Sequence, residues 1–305
     1  MTTQTSTIAG IARAAMLVNL NISVYSGRKQ DKRTQDEITT SKGSGSKRAA
    51  SVYKNLFAEC KELDDITKFQ ARVRAEHYRL TMPWDDTGTR LLPTQALMEY
   101  KATLNRYSAE FDRLVEAFLD KYDTLVAAAA FQLGTLFERS EYPLRGHVAR
   151  RFSFDTTMMP LPTSGDFRLD IEAEVQQELI DQYETRVARQ LAAANQDAWR
   201  RLHEVLTRMS TRLTVHEDGK KSVFRDTTVT NAEELCDLLT KLNVTNDPAL
   251  EKARQQLEAA LQGITPKDLR ESEGTRTLTK QKVDTILSAF DWGMTDDDNE
   301  ESIEA

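Results

Sequence analysis

Length, composition and charge already limit the class of this protein. Its 305 residues are 39% hydrophobic and 29% charged, with only 12 glycines and 7 prolines, which favours long amphipathic helices over a β-sandwich or barrel. No run of 18 apolar residues occurs, so we expect no membrane-spanning segment. Of the net charge of −7, residues 291–305 supply seven acids and no base, whereas residues 1–59 hold nine bases and four acids.

The N-terminal part predicts one strand and one long helix. Residues 16–25 alternate apolar and polar side chains, which is typical of a strand. A polar segment with one helical turn follows and ends in the flexible run SKGSGSK at 41–47. From Tyr53 to Leu63 apolar residues recur every three or four positions, so we predict a first long helix from Lys47 to Arg79.

A second long helix is predicted from the N-cap Thr94 to Phe137. Its apolar residues from Leu97 to Phe118 recur about every 3.5 residues, the period of coiled-coil packing. The next region, 138–169, is interrupted by three prolines and should contain one short helix, at 144–151.

The last part predicts one very long helix and several short ones. The third long helix extends from Asp170 to Leu213 and must be an arm or the spine of an elongated bundle. Asp218 and Gly219 have the sequence of a β-hairpin turn. Short helices follow at 232–243, 248–262, after Thr265-Pro266, and at 279–290.

These elements predict a mainly α fold. It is an elongated bundle of three long helices, similar to a coiled coil, with a small β element and a C-terminal cluster of short helices. Four consecutive segments are expected: an N-terminal strand and basic flexible segment at 1–45, a long-helix bundle domain at 46–213, a β-hairpin and small helical region at 214–290, and a disordered acidic tail at 291–305.

Residues 81–93, TMPWDDTGTRLLP, separate the first two long helices and allow three interpretations. In the preferred one, the stretch is a structural corner in which prolines bound the helices and Gly88 takes a left-handed conformation. In the second it is a surface for a protein partner, and in the third two aspartates and an arginine form a catalytic pocket. The candidate partner-binding residues here are Trp84, Asp85, Asp86 and Arg90.

Residues 145–154, RGHVARRFSF, combine arginines with aromatic residues, as segments that bind single-stranded nucleic acid do. Alternatively, the segment is a short amphipathic helix with its arginines in water and its phenylalanines in the core. The second interpretation is preferred, because the neutral body lacks a wider basic field. The nucleic-acid candidates are Arg145, Arg150, Arg151, Phe152 and Phe154.

Catalytic and cofactor signatures are weak along the whole sequence. No glycine-rich loop has the strand-to-helix context of a phosphate site, and no serine or cysteine lies in a nucleophile elbow, so we predict no catalytic residue. Two cysteines and four scattered histidines argue against a metal site, and we expect no cofactor. In the acidic tail, Trp292 is a further candidate anchor for a protein partner.

Three motifs occur in one order: TMPWDDTGTRLLP, LGTLFERSEYP from Leu133 to Pro143, and PLPTSGDFRL at 160–169. Together they resemble a family of tailed bacteriophages and prophages known only as domain of unknown function thirty-one fifty. The resemblance covers about residues 15–215. It implies a protein without an assigned activity, encoded near an AAA-type ATPase of the MoxR kind and a cobaltochelatase-like protein, and therefore a client or adaptor of an ATPase machine.

We therefore predict a non-enzymatic adaptor or assembly protein, encoded by a phage and acting in the host cytoplasm, with a MoxR-type AAA ATPase as a candidate partner. A single-stranded nucleic-acid-binding protein of phage replication or recombination is the alternative. A homo-oligomer is expected, because the apolar residues from Leu97 to Phe118 need a facing helix.

Overall fold

The computed structural model describes residues 10–46, 48–162, 173–214 and 225–293. It is mainly helical with a small antiparallel sheet, which confirms the predicted class. No helix in these ranges is both long enough and apolar enough to cross a lipid bilayer. The chain divides into two compact units: a first unit of Met1–Asn19, Tyr78–Met98 and Thr157–Ala305, and a second unit of Leu20–His77 and Glu99–Thr156. The four consecutive segments expected from the sequence are a different division and stay a prediction.

The larger sheet has four strands: β1 (Ala15–Ser23), β4 (Met82–Pro83), β5 (Arg90–Pro93) and β6 (Ser153–Pro160). Their order is β4-β5-β1-β6. Strand β1 lies where the alternation of side chains predicts a strand, and it pairs antiparallel with β5, with Val18 opposite Arg90. Val18, Leu91 and Leu92 are fully buried, so this pairing places an apolar face in the core.

Among its described residues, the second unit has four α-helices: α1 (Lys32–Ser41), α2 (Lys61–Leu80) up to its residue 77, α3 (Leu97–Leu133) from its residue 99, and α4 (Arg145–Ala149). Two contacts show that α2 and α3 run antiparallel. Glu62 near the start of α2 pairs with Lys121 at 2.6 Å, and the Nδ1 of His77 near its end lies 2.8 Å from the hydroxyl of Tyr100. In the core between them, Phe57 packs edge-on against Phe118 at 5.9 Å.

The first long helix is shorter than predicted, since α2 begins at Lys61 and not at Lys47. Residues 53–55 instead form β3, which pairs with β2 (Arg28–Gln30) in a separate two-stranded sheet. Beside this sheet, the Leu56 N–H donates to the Gly27 carbonyl at 2.7 Å. Gly27 has a φ of +61°, and a Cβ there would lie 3.0 Å from Leu63, so this approach requires glycine. Long-range pairing thus overrides the local helical spacing.

The polar segment after β1 is more regular than expected. Where the sequence predicts one helical turn, α1 extends over ten residues. Asp31 caps it by accepting a hydrogen bond from the Thr34 N–H at 3.1 Å.

The first unit contains α5 (Ala173–Leu213) and the short helices α6 (Thr227–Leu242), α7 (Pro248–Leu261), α8 (Pro266–Glu271) and α9 (Glu273–Ala289). The short helices form the C-terminal cluster that the sequence predicts. Helix α5 packs against α6 and α9 through its fully buried Leu202, Leu206 and Met209. Thr265 and Asp268 begin α8 with a reciprocal capping box.

The expected elongated bundle of three long helices is not clearly observed in the described ranges. The long helices occur together with several shorter ones, and α5 packs against α6 and α9. The coiled-coil arrangement stays a prediction. The turn predicted at Asp218 and Gly219, the start of the third helix at Asp170 and the tail from residue 294 lie outside the described residues.

Candidate functional site

The stretch 81–93 forms a β-hairpin and not a direct corner between two helices. Met82 lies opposite Leu91 and Pro83 opposite Arg90, so β4 and β5 are the two arms of the hairpin. The hairpin is joined through β5 to β1. Trp84, the first residue of its loop, is only 9% exposed, so its ring is packed into the structure.

Asp85 organises the loop of the hairpin. Its Oδ1 accepts hydrogen bonds from the backbone N–H of Thr87 at 2.9 Å and of Thr89 at 3.0 Å, and from the Thr87 hydroxyl at 2.7 Å. Burial raises the pKa of the Asp85 carboxyl, but these hydrogen bonds outweigh burial and hold the pKa below its usual range. Gly88 has a φ of +94°, a conformation that glycine adopts without strain. The aspartate and the glycine therefore fix the loop.

Arg90 is held in place by bonds to neighbouring groups of the protein. Its Nε donates to the Thr81 hydroxyl at 2.7 Å, and its Nη2 donates to the Thr81 carbonyl at 3.0 Å. The guanidinium also lies 4.8 Å from the centre of the Tyr78 ring, a cation–π contact. These contacts attach β5 to the residues that end α2.

A second arginine, Arg201 of α5, also donates to the residues at the end of α2. It donates to the backbone carbonyls of Tyr78 at 2.9 Å, Arg79 at 2.7 Å and Thr81 at 2.7 Å. The last carbonyls of a helix have no partner within it, and a cation near them also complements the helix dipole. Asp197 holds the guanidinium in place with an ion pair of 2.7 Å.

The role of Arg201 was missed from the sequence. The spacing of Asp197 and Arg201 by four residues on a helix predicts their ion pair. It gives no indication of the carbonyl groups more than 100 positions earlier in the chain, to which Arg201 donates.

A groove of about 810 Å³ lies beside the hairpin loop, between the loop, α5 and α6. We call it the hairpin groove. Its apolar part is lined by Val205, Leu235 and Leu238, and its rim includes the carboxylates of Asp86 and Glu234. Both carboxylates are exposed, and neither has a basic partner in the ranges that the structure describes. Of the four predicted partner-binding residues of the hairpin, the structure places Asp85, Asp86 and Arg90 in this groove but not Trp84.

The nucleic-acid candidates separate into two groups. Phe152 and Phe154 pack against Phe111 of α3, with ring centres 6.4 and 5.7 Å apart, so their rings belong to an aromatic core. On the outside, Arg145 forms an ion pair with Asp120 at 2.7 Å. Arg150 and Arg151 are exposed and line a separate pocket of the second unit.

Trp292, the candidate anchor of the tail, is half-buried in the first unit. Its ring packs edge-on against Trp199 with centres 5.4 Å apart, and it lies 5.0 Å from the ring of His203. Its Nε1 donates to the Leu287 carbonyl at 2.8 Å. The structure thus places this tryptophan in an aromatic cluster on α5.

Comparison with known proteins gives no assignment: no family model, no curated protein and no solved structure matches this chain. The resemblance to the phage family, which is based on three motifs, stays a prediction. The hairpin groove and its charges are therefore the basis for a proposed function.

Proposed function

We propose that this protein is a non-enzymatic adaptor or assembly protein that binds a segment of a partner protein in the hairpin groove. The observation that supports this proposal is an apolar surface bordered by two exposed carboxylates without basic partners, Asp86 and Glu234. The matching ligand is a peptide segment in which an apolar side chain is flanked by lysine or arginine.

The charge balance of the hairpin groove is slightly negative, since five carboxylates (Asp85, Asp86, Asp197, Glu204 and Glu234) and four arginines (Arg79, Arg90, Arg200 and Arg201) line it. Arg90 and Arg201 donate to backbone carbonyls, and Arg200 is paired with Asp197. An ion pair or a hydrogen bond already satisfies part of the charge of these three guanidinium groups. Asp86 and Glu234 have no such partner among the residues that the structure describes, so a basic side chain is the complementary group.

The dimensions of the hairpin groove suit a few side chains of a peptide. Its volume of about 810 Å³ lies within the range of sites that bind ligands, roughly 300–1,000 Å³. Leu235 and Leu238, one turn apart on α6, are almost buried and form the apolar floor of the groove beside the half-buried Val205. An apolar side chain placed there would provide affinity, and the carboxylates would fix its position and orientation.

In this proposal the protein is phage-encoded and acts in the host cytoplasm, and a MoxR-type AAA ATPase is the first partner to test. The resemblance of three sequence motifs to a phage family supports that choice. Self-association is part of the proposal, because Phe131 and Leu144 of the second unit are 90% and 70% exposed.

A capture experiment with charge-reversal variants tests the groove. Tagged full-length protein would be used to capture partners from phage-producing cells, and a purified MoxR-type ATPase would be tested directly. We expect the double variant Asp86→Lys, Glu234→Lys to lose the partner that the natural protein captures. Glu233→Lys is the matched control, since Glu233 is exposed on the same helix but lines a different groove. Equal capture by all three proteins, with equal melting temperatures, would exclude the hairpin groove as the binding site.

A further inference from the structure

A small pocket in the second unit is lined mainly by arginines and serines. It has a volume of about 360 Å³ and lies where the end of β1 and the turn after it meet the end of α4 and the start of β6. We call it the Arg–Ser pocket. Its lining residues are Ser23, Val24, Tyr25, Ser26, Arg28, Arg150, Arg151 and Ser153.

The arginines of the Arg–Ser pocket have no carboxylate partner among the described residues, and no acidic side chain lines the pocket. Other arginines of the second unit do have such partners. Arg145, on the short helix that leads to the pocket, is paired with Asp120, and Arg72 is paired with Glu110 at 2.8 Å. Three positive charges around one small space repel each other, and a bound anion would remove that repulsion.

We propose that the Arg–Ser pocket binds a phosphoryl group. Guanidinium groups are planar and donate two parallel hydrogen bonds to phosphate oxygens, and serine hydroxyls add further donors. The pocket therefore has the donors that a phosphate requires, and its lining contains no carboxylate to attract a cation.

The size and the lining of the Arg–Ser pocket limit the ligand further. A volume of about 360 Å³ is near the lower end for a ligand site, so it suits one phosphate with its ester group. Tyr25 is its single aromatic residue, and its ring is buried edge-on against Phe57. Phe152 and Phe154 are packed on α3, so none of the described residues that line the pocket offers an exposed ring as a platform for a base. The pocket would contact the phosphate and not identify a base.

Two kinds of ligand carry such a phosphoryl group: a small phosphate ester and the phosphodiester backbone of a single-stranded nucleic acid. The inference does not depend on the proposed function, since the Arg–Ser pocket and the hairpin groove belong to different units and share no residue.

Titration calorimetry of the full-length protein with inorganic phosphate at low salt tests the pocket. We expect binding that becomes at least about tenfold weaker in the double variant Arg150→Gln, Arg151→Gln, because two charged donors are lost. Arg28→Gln, on the other chain segment, should weaken binding in the same direction. Arg145→Gln removes the same charge from α4, the short helix just before Arg150 and Arg151, but outside the pocket, and it should bind phosphate like the natural protein.

Fluorescence anisotropy with an oligodeoxythymidylate distinguishes the two kinds of ligand. Oligonucleotide binding that is lost in the same variants would identify a nucleic-acid phosphodiester as the ligand. Phosphate binding without oligonucleotide binding would identify a small phosphate ester. The proposal is overturned if the natural protein does not bind phosphate, or if the pocket variants and Arg145→Gln bind it equally.

Discussion

The hairpin groove and the Arg–Ser pocket both contain arginines, but these arginines have different partners. In the groove, Arg90 and Arg201 donate to backbone carbonyls and Arg201 is also paired with Asp197. In the Arg–Ser pocket, none of the three arginines has an acidic partner among the described residues: Arg28, Arg150 and Arg151. The first set stabilises the fold, and the second set is available for a ligand.

This difference shows why arginine content alone does not indicate function. The sequence predicts Arg90 as a candidate for binding a protein partner and Arg150 as a candidate for binding nucleic acid. Only the positions of carboxylates and carbonyl groups from distant parts of the chain distinguish a structural arginine from one that can bind an anion.

The largest expected effect tests whether the hairpin is part of the structural core. Trp84→Ala removes a large ring that is only 9% exposed, so the free energy of unfolding should fall by about 3–5 kcal/mol. Asp86→Asn, on the rim of the hairpin groove, should hardly change it. Urea denaturation followed by circular dichroism measures both. If Trp84→Ala melts like the natural protein but no longer binds its partner, the tryptophan is part of a site and not of the scaffold.

The second prediction compares the two sets of arginines directly. Arg201→Ala removes three hydrogen bonds to carbonyls and leaves the side chain of Asp197, which is 5% exposed, with a weaker partner. We expect the free energy of unfolding to fall by about 3 kcal/mol, as it does when one partner of a buried ion pair is removed.

Arg28→Gln in the Arg–Ser pocket should change the free energy of unfolding by less than about 0.5 kcal/mol, because its exposed guanidinium has no acidic partner to lose. Urea denaturation of the two variants under the same conditions measures the contrast. Equal losses in the two variants would contradict the distinction between structural and ligand-binding arginines.

Part of the fold and of the site could be predicted from the sequence. The periodicity of apolar residues predicts α3 and α5, since helical packing repeats locally. It does not predict that residues 53–55 form a strand, because that strand depends on pairing with β2. The hairpin was interpreted as a corner between helices for the same reason. The left-handed conformation of Gly88 was predicted correctly, since a turn depends on residues that lie close together in the sequence.

The smallest expected effect concerns pH and the loop at the edge of the hairpin groove. The folded-state pKa of Asp85 is held below its value in the unfolded chain, which is about 3.9. The ionised carboxylate therefore stabilises the fold above that pH, and the stabilisation is lost as the pH falls through the folded-state pKa. Asp85→Asn cannot ionise and lacks this contribution.

The difference in melting temperature between the natural protein and Asp85→Asn should thus be greatest near pH 6 and should shrink below about pH 4. Other capping aspartates with lowered pKa values, such as Asp247 and Asp268, are present in both proteins and cancel in the difference. Asp86→Asn is the control, because Asp86 is exposed in the same loop without such hydrogen bonds. A difference that stays constant from pH 6 to pH 3 would mean that Asp85 holds the loop by its shape alone. In that case an asparagine, which keeps one oxygen acceptor, would replace it without any change in the response to pH.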